Sequence, residues 1–375
     1  MESKSADIAI VGAGIVGLAH AYMALRKGYK VVLFDRDQEA MGASVRNFGL
    51  IWPIGQLPGN GLDYALRSRA HWLELSAQVG FWINPAGSLH LAHYADEWEV
   101  LQEFYEWSRN SPYQASLLNK GESCRRSSAI NTSNLQGSLW SSTECTVNPR
   151  EAIRKIPLWL QQRYGLILKM GHSITEISLP LIKSSRESWK VEKVFVCNGA
   201  DFQTLYPELF LKQDTVKCKL QMMKAVSSNP ALSIGPSLCG GLTLRHYPSF
   251  KNCPSLAKLN QRYDGQFPQY KQHGIHVLVS QNAEGELILG DSHHYGLNPE
   301  PFDSALVEDF ILTYLNTITA LGDYSIVERW HGIYTKARND FFVEEVDPGV
   351  TVVNGLGGAG MTLSFGLAEE IISKL

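Results

Sequence analysis

The chain has 375 residues, 44% of them hydrophobic and 19% charged, with a formal net charge of −3. That is enough apolar material for a large core and enough length for two domains, while the faintly acidic balance gives nucleic acid no basic footprint and points to a small-molecule partner. No run reaches the roughly 18 to 20 apolar residues of a membrane span, and the six cysteines form no C-x-x-C pair and no metal-ligand spacing with histidine, so the expectation is a reduced, cytoplasmic protein.

The chain opens on its most informative stretch. Ile8 to Val11 is an apolar run too short for anything but a buried strand. Gly12, Gly14 and Gly17 follow in the spacing G-x-G-x-x-G. A helical pattern runs from Ile15 to Arg26, Lys27-Gly28 stops it, and a second apolar run from Lys30 to Phe34 ends on Asp35. In this unit the first glycine permits a sharp turn, the second lets backbone approach a pyrophosphate, and the third lets the helix pack on the sheet. The helix N-terminus, with Ile15 and Val16 in its first turn, offers free N–H groups to the phosphates. Asp35 stands near the expected distance for an acid that takes the ribose hydroxyls. The unit predicts dinucleotide binding.

Arg36 to Pro53 is irregular, with Ser44, Arg46, Asn47 and Gly49 forming a polar turn. Leu62 to Val79 has a helical apolar face ended by Gly80; Gly87 to Ala92 alternates like a strand. Asp96 to Ser108 is a second amphipathic helix, rich in core aromatics. Asn148-Pro149 reads as a cap followed by a first-turn proline, opening a helix to Tyr164. Gly165 to Met170 and Ser173 to Ile177 are short strands. Lys193 to Val196 is a strand running into Cys197-Asn198-Gly199-Ala200, a junction like the first.

Cys218 to Val226, Leu242 to Tyr247, Gly274 to Ser280 and Glu286 to Leu289 read as strands separated by glycine turns. Pro301 to Leu321 is a helix, Arg329 to Tyr334 a strand of bulky residues, and Val350 to Val353 another. The latter meets Gly355, Gly357, Gly358 and Gly360 before a helix from about Met361, so a second helix N-terminus is offered at a glycine corner. The expected architecture is α/β: a discontinuous cofactor domain of residues 1–80, 146–215 and 330–375, and a mostly antiparallel sheet domain of residues 81–145 and 216–329 inserted into it.

The runs VGAGIVGLAHAYMALRKGYKVVLFD, ASVRNFG, VFVCNGAD, ELILGD and NGLGGAGMTLSFGLAE resemble the FAD-dependent oxidoreductases of the D-amino-acid oxidase, glycine oxidase and sarcosine oxidase superfamily. Within it, ASVRNFGLIWPIGQ, CKLQMM and GGAGMTLSFGLAE look most like a branch associated with bacterial phosphonate breakdown. The resemblance implies a Rossmann-like FAD-binding domain of the glutathione-reductase type. It implies pyrophosphate at Gly12, Gly14 and Gly17 and ribose at Asp35 with Arg36. Ser44, Arg46, Asn47, Phe48 and Gly49 would run toward the flavin, Gly199 and Ala200 would line the adenosine side, and Gly357, Gly358, Gly360, Met361 and Thr362 would meet its pyrimidine end.

The reaction implied is oxidation of a small amine, such as 2-aminoethylphosphonate or an N-alkylated relative, with oxygen as acceptor. Three departures from relatives shape that reading. Tyr334 stands where amino-acid-oxidising relatives carry a carboxylate-binding arginine. Gly332 stands where sarcosine-oxidase-like enzymes attach flavin through a cysteine, so the FAD is expected to be non-covalent. Ile288 replaces a lysine tied to oxygen activation.

Candidates for the substrate end are Arg46, Arg245 and Tyr247, with Trp330 and Tyr334. As a strand, Leu242 to Tyr247 would put Arg245 and Tyr247 on one face and His246 on the other. Gln221 and Met223 would floor the pocket; Lys336 and Arg338 would add charge or simply face solvent. His293 and His294 beside Asp291 suggest a metal, but neighbouring strand residues point apart, so no metal site is expected. The rival readings are an oxidase or dehydrogenase of a secondary amine or N-methyl amino acid, a nicotinamide dehydrogenase, and a non-catalytic flavoprotein.

Overall fold

The computed structural model describes residues 4–339 and 341–375. One sheet has six strands in the order 342–347, 350–354, 193–196, 8–11, 31–35 and 167–170. All its pairs are parallel except Phe342–Asp347 against Val350–Asn354. Strand Ile8–Val11 is central and its Ile8, Ala9 and Ile10 are wholly buried, as a strand covered on both faces must be. The helices Ile15–Arg26 and Gly360–Ser373 pack against one another, and Asn60–Val79 packs on the second. Of the helix Ile15–Arg26, only Val16 and Arg26 are not buried.

The other large sheet has nine strands. Its spine is the pair Val216–Ser227 and Tyr324–Lys336, antiparallel along their full length apart from one bulge. Strands 294–296, 287–290, 278–281, 237–239, 88–92, 137–141 and 115–118 complete it. Its pairs are antiparallel except for Ser237–Cys239 beside Ser88–Ala92. The expected domain boundary at 330 falls in the middle of Tyr324–Lys336, which stays in this sheet throughout. Among the described residues no helix is long and apolar enough to cross a membrane.

Two expected elements differ. Leu242 to Tyr247 is not a strand: Gly241–His246 is a short helix. Leu242, Thr243 and Leu244 are all buried, so alternation carries no information here, and the Leu242 N–H is held by the Tyr314 hydroxyl at 3.1 Å. Tertiary contacts decide the local structure. The helix expected from Pro301 begins only at Ala305. The Gln221 amide clamps Ser304 just before it, donating to its carbonyl at 3.0 Å and accepting from its N–H at 2.9 Å.

Candidate active site

The first glycine corner sits at the C-terminal end of the central parallel strand, where open α/β sheets bind ligands. Gly12 has φ +105°, and a Cβ there would lie 2.3 Å from the Cys197 carbonyl oxygen. A Cβ on Gly17 would lie 1.9 Å from the Gly12 carbonyl oxygen, so this residue seats the helix on the turn. Gly14 differs from both. Its backbone is ordinary extended chain, and a Cβ would meet only the Ser44 hydroxyl, at 3.1 Å. The missing side chain opens a cavity.

That cavity, about 590 Å³, is lined by Gly12, Gly14, Ile15, Val16, Asp35, Arg36, Gly199 and Ala200, among others. The helix N-terminus above it has no side-chain cap of its own and no acid in its first turn. Ser44 reaches across to accept the Ile15 N–H at 2.9 Å. Asp35 accepts from the Ala13 N–H at 2.7 Å and the Asp37 N–H at 2.9 Å. A carboxylate has about four acceptor sites, so two remain for hydroxyls. Burial raises the Asp35 carboxyl above its usual range, and those two backbone donors pull it back. Arg36 pairs with Asp201 at 2.9 Å. The Gly199 carbonyl accepts from Thr335 and Asn354, at 2.8 and 2.9 Å, and so joins the mid-chain junction to the last strands.

A second cavity, about 510 Å³, continues from the first. Ile15, Ser44, Arg46, Tyr334, Gly357 and Gly360 line both. The two glycine corners, from opposite ends of the chain, therefore share one groove. Asn47, Phe48, Gly358, Met361 and Thr362 line only the second part. The helix Gly360–Ser373 opens onto it with no capping side chain and no acid in its first turn, so its positive end is unneutralised there. Gly17 and Gly49 line neither part. A Cβ on Gly49 would sit 1.9 Å from the Val147 carbonyl oxygen, which makes its role one of packing.

At the far wall the expectations shift. Because Gly241–His246 is helical, Arg245, His246 and Tyr247 all line the second cavity rather than dividing between two faces. Arg245 is paired with Asp264 at 2.5 Å. Tyr247 stacks on Trp52 at 6.1 Å. Trp330 is absent from the cavity lining: its indole N–H donates to the Arg46 carbonyl at 3.3 Å, behind the flavin turn, and Arg150 lies over its ring. It packs behind that turn and does not reach the second cavity, contrary to the expectation of a wall there.

The floor expectation is off by one residue, which in a strand inverts the face. Leu220 and Met222 line the cavity, while Gln221 turns outward to Ser304. Lys336 lines the cavity and Arg338 is exposed. Tyr334 lines both cavities, and burial pushes its hydroxyl well above the usual phenol range.

Sequence reasoning missed Trp52, His276 and Tyr295, all of which line the second cavity. His293 and His294 do point apart: the His293 ring lies 4.7 Å from His246, the His294 ring 5.7 Å from His273. His246 and His276 stack at 4.1 Å. Burial, then the neighbouring His293 imidazole, holds His276 well below the usual histidine range. Burial likewise lifts the Asp291 carboxyl to about 6.

Known proteins resemble this chain. The family model DAO, described as FAD dependent oxidoreductase, matches residues 7–374. One of the subunits of opine oxidase from Rhizobium meliloti is 24% identical over 354 residues, 89% of this chain and 83% of that protein. Glycine oxidase from Geobacillus kaustophilus superposes with a TM-score of 0.79 at 17% identity, over 100% of this chain and 95% of the other. L-proline dehydrogenase from P. horikoshii also gives 0.79, at 16% identity, over 99% and 93%.

Proposed function

The chain belongs to the DAO family of FAD dependent oxidoreductases, and we propose that its substrate is a small amine with an anionic tail: 2-aminoethylphosphonate or an N-alkylated or hydroxylated relative. The observation that carries this reading is the wall of the second cavity. Arg46 and Lys336 line it, as does Arg245, whose charge is shared with Asp264, and Tyr334 stands where the resemblance places a carboxylate-binding arginine. Basic groups thus surround the cavity without the planar fork that grips an α-carboxylate in such relatives.

The residues present fit FAD. The uncapped helix at Gly14 and the gap left by its missing side chain receive a pyrophosphate, Asp35 has acceptor sites left for a ribose, and the corner at Gly357 to Thr362 faces the flavin end. Among the described residues no cysteine lines the second cavity, which supports non-covalent attachment. Bound there, FAD would supply the two-electron acceptor for the hydride that leaves the carbon next to nitrogen; with loss of a proton the amine becomes an imine, which water splits to the aldehyde and ammonia, or an alkylamine where the nitrogen is alkylated. The protein's part is to orient the amine and shed water around it. Leu220, Met222, Trp52 and Tyr247 furnish apolar walls, and the cationic side chains fix the tail. The positive helix end at Gly360 faces the region where negative charge develops.

Oxygen as acceptor and a cytoplasmic location belong to the same proposal, as does the division into an FAD-binding part (1–80, 146–215 and the chain's end) and a substrate-binding part (81–145 and 216–329). A second reading, an oxidase or dehydrogenase of a secondary amine or N-methyl amino acid, is supported by the likeness to an opine oxidase subunit.

Steady-state turnover on 2-aminoethylphosphonate, its N-methyl form, sarcosine and glycine tests the choice. The phosphonates are expected to show the highest kcat/KM. Efficient turnover of sarcosine or glycine with none of the phosphonates overturns it. Arg46→Ala is expected to lower kcat/KM on the preferred anionic amine by about 10- to 100-fold, the loss of one charge-assisted interaction. The comparison is made at equal flavin content, and an unchanged kcat/KM removes Arg46 from the substrate's anchors.

A further inference from the structure

The far wall of the second cavity carries three imidazoles that amine oxidation itself does not call for. His246, His276 and His293 each present one ring nitrogen, and these nitrogens lie within 4.8 Å of one another. They come from three separate segments: the end of the short helix, the approach to strand Leu278–Gln281, and the loop after Gly290.

One of the rings is held from behind. The His293 Nδ1 lies 3.0 Å from the Gly274 carbonyl oxygen, which fixes a proton on that nitrogen and leaves Nε2 as the free lone pair. The His276 Nδ1 lies 3.3 Å from the Asp291 carboxylate, too poorly aligned for a hydrogen bond. The His276 Nε2 is buried with no hydrogen-bond partner, in a residue only 3% exposed. A buried nitrogen without a partner is costly. A carbonyl holding Nδ1, as Gly274 holds His293, is an arrangement that orients metal-binding histidines.

We propose that His246, His276 and His293 form a site for a divalent transition-metal ion of the zinc class, beside the Asp291 carboxylate. Three neutral imidazoles suit zinc, copper or nickel and not magnesium or calcium, which take oxygen ligands. Three nitrogens each about 2.0–2.1 Å from one ion stand roughly 3.3–3.6 Å from one another, so the rings must close by up to about 1.5 Å. His246 supplies that freedom, since it ends its helix and its exposed surface faces the open cavity. The surrounding charge permits a cation. Asp291 faces the cluster, Lys336 on the same cavity offsets it, and the Arg245 charge is taken up by Asp264. Three protein ligands leave a coordination position open to the cavity.

The test is metal uptake by the flavin-loaded enzyme after dialysis against a chelator, titrated calorimetrically with zinc chloride in a buffer free of phosphate. One ion per chain is expected to bind, with affinity at least about 100-fold weaker in His276→Ala and His293→Ala. His246→Ala, altered at a position exposed to the cavity, weakens binding without threatening the fold, and His294→Ala leaves the tight site intact. Flavin absorbance checks the integrity of each variant. The readout does not involve turnover, so it stands apart from the choice of substrate. The site is overturned if the native enzyme takes up no stoichiometric zinc, or if uptake is the same in the His246 and His276 variants.

Discussion

Gly14→Val is expected to give a folded protein that holds no flavin, and Gly17→Val to give little folded protein at all. The two glycines are three residues apart in one motif, but their surroundings differ. At Gly14 the backbone is extended and the nearest atom to an added Cβ is the Ser44 hydroxyl at 3.1 Å, which can rotate away. The valine then fills the space that the first cavity needs beside the helix N-terminus. Losing two or three backbone-to-pyrophosphate contacts, at about 1.5–3 kcal/mol for each charged pair, weakens FAD binding by about 10²-fold or more. At Gly17 the Cβ meets the Gly12 carbonyl oxygen at 1.9 Å, and backbone cannot rotate away. The helix must then lift off the sheet, an overpacking penalty with no local relief. The measurements are the ratio of flavin absorbance (near ~450 nm, as for any oxidised flavin) to protein absorbance, together with a circular-dichroism melt. A Gly14→Val enzyme with a native flavin ratio would show that the pyrophosphate does not pass this corner.

The first corner is legible in the sequence because each of its parts is local. A four-residue buried strand, three glycines and an acid at the end of the next strand leave no alternative packing, and the helix Ile15–Arg26 lies where its periodicity puts it. The tail is legible for the same reason. The substrate wall is not, because it is assembled from long-range contacts. Leu242 and Leu244 suit a strand or a helix equally, and the Tyr314 hydroxyl chooses the helix. In Val216–Ser227, five consecutive residues from Leu220 to Lys224 include one lysine and one glutamine at opposite parity, and nearly all of the run is buried. Alternation cannot assign a face to a strand covered on both sides. Only the partner strand does, by opposing Leu220 to Gly332 and Met222 to Trp330. His276 carries no local signal: an apolar run surrounds it, and its function depends on His246 and His293 arriving from elsewhere. The adjacent pair His293-His294 drew attention for its spacing, yet only one of the two reaches the cavity.

The same burial that stabilises the first helix makes the fold sensitive to acid. His20 lies wholly inside it. Its Nδ1 bonds to the Val16 carbonyl at 2.7 Å, its ring packs 5.2 Å from Phe195, and its Nε2 has no partner. Burial pushes the imidazole down to about 4, the Val16 bond opposing only in part. An unfolded histidine titrates near 6.5. Between these values the unfolded chain binds a proton that the folded one refuses, so the contribution of His20 is fully present above about pH 6.5 and disappears as the pH falls toward about 4. The loss amounts to about 3 kcal/mol, a large part of a typical folding free energy. His90, pushed to about 3 by burial and then by His276, adds to the fall at the lower end of this range. His20 is in the helix whose N-terminus lines the first cavity, so if FAD binds there, flavin release is expected to follow the same pH curve as unfolding. His20→Leu keeps the volume and removes the titration. Urea unfolding at fixed FAD concentration should show a drop between pH 7 and pH 4 about 3 kcal/mol smaller in the variant than in the native chain. An equal drop in both would mean that the acid sensitivity lies elsewhere, with the cavity imidazoles His246 and His276 next to be tested.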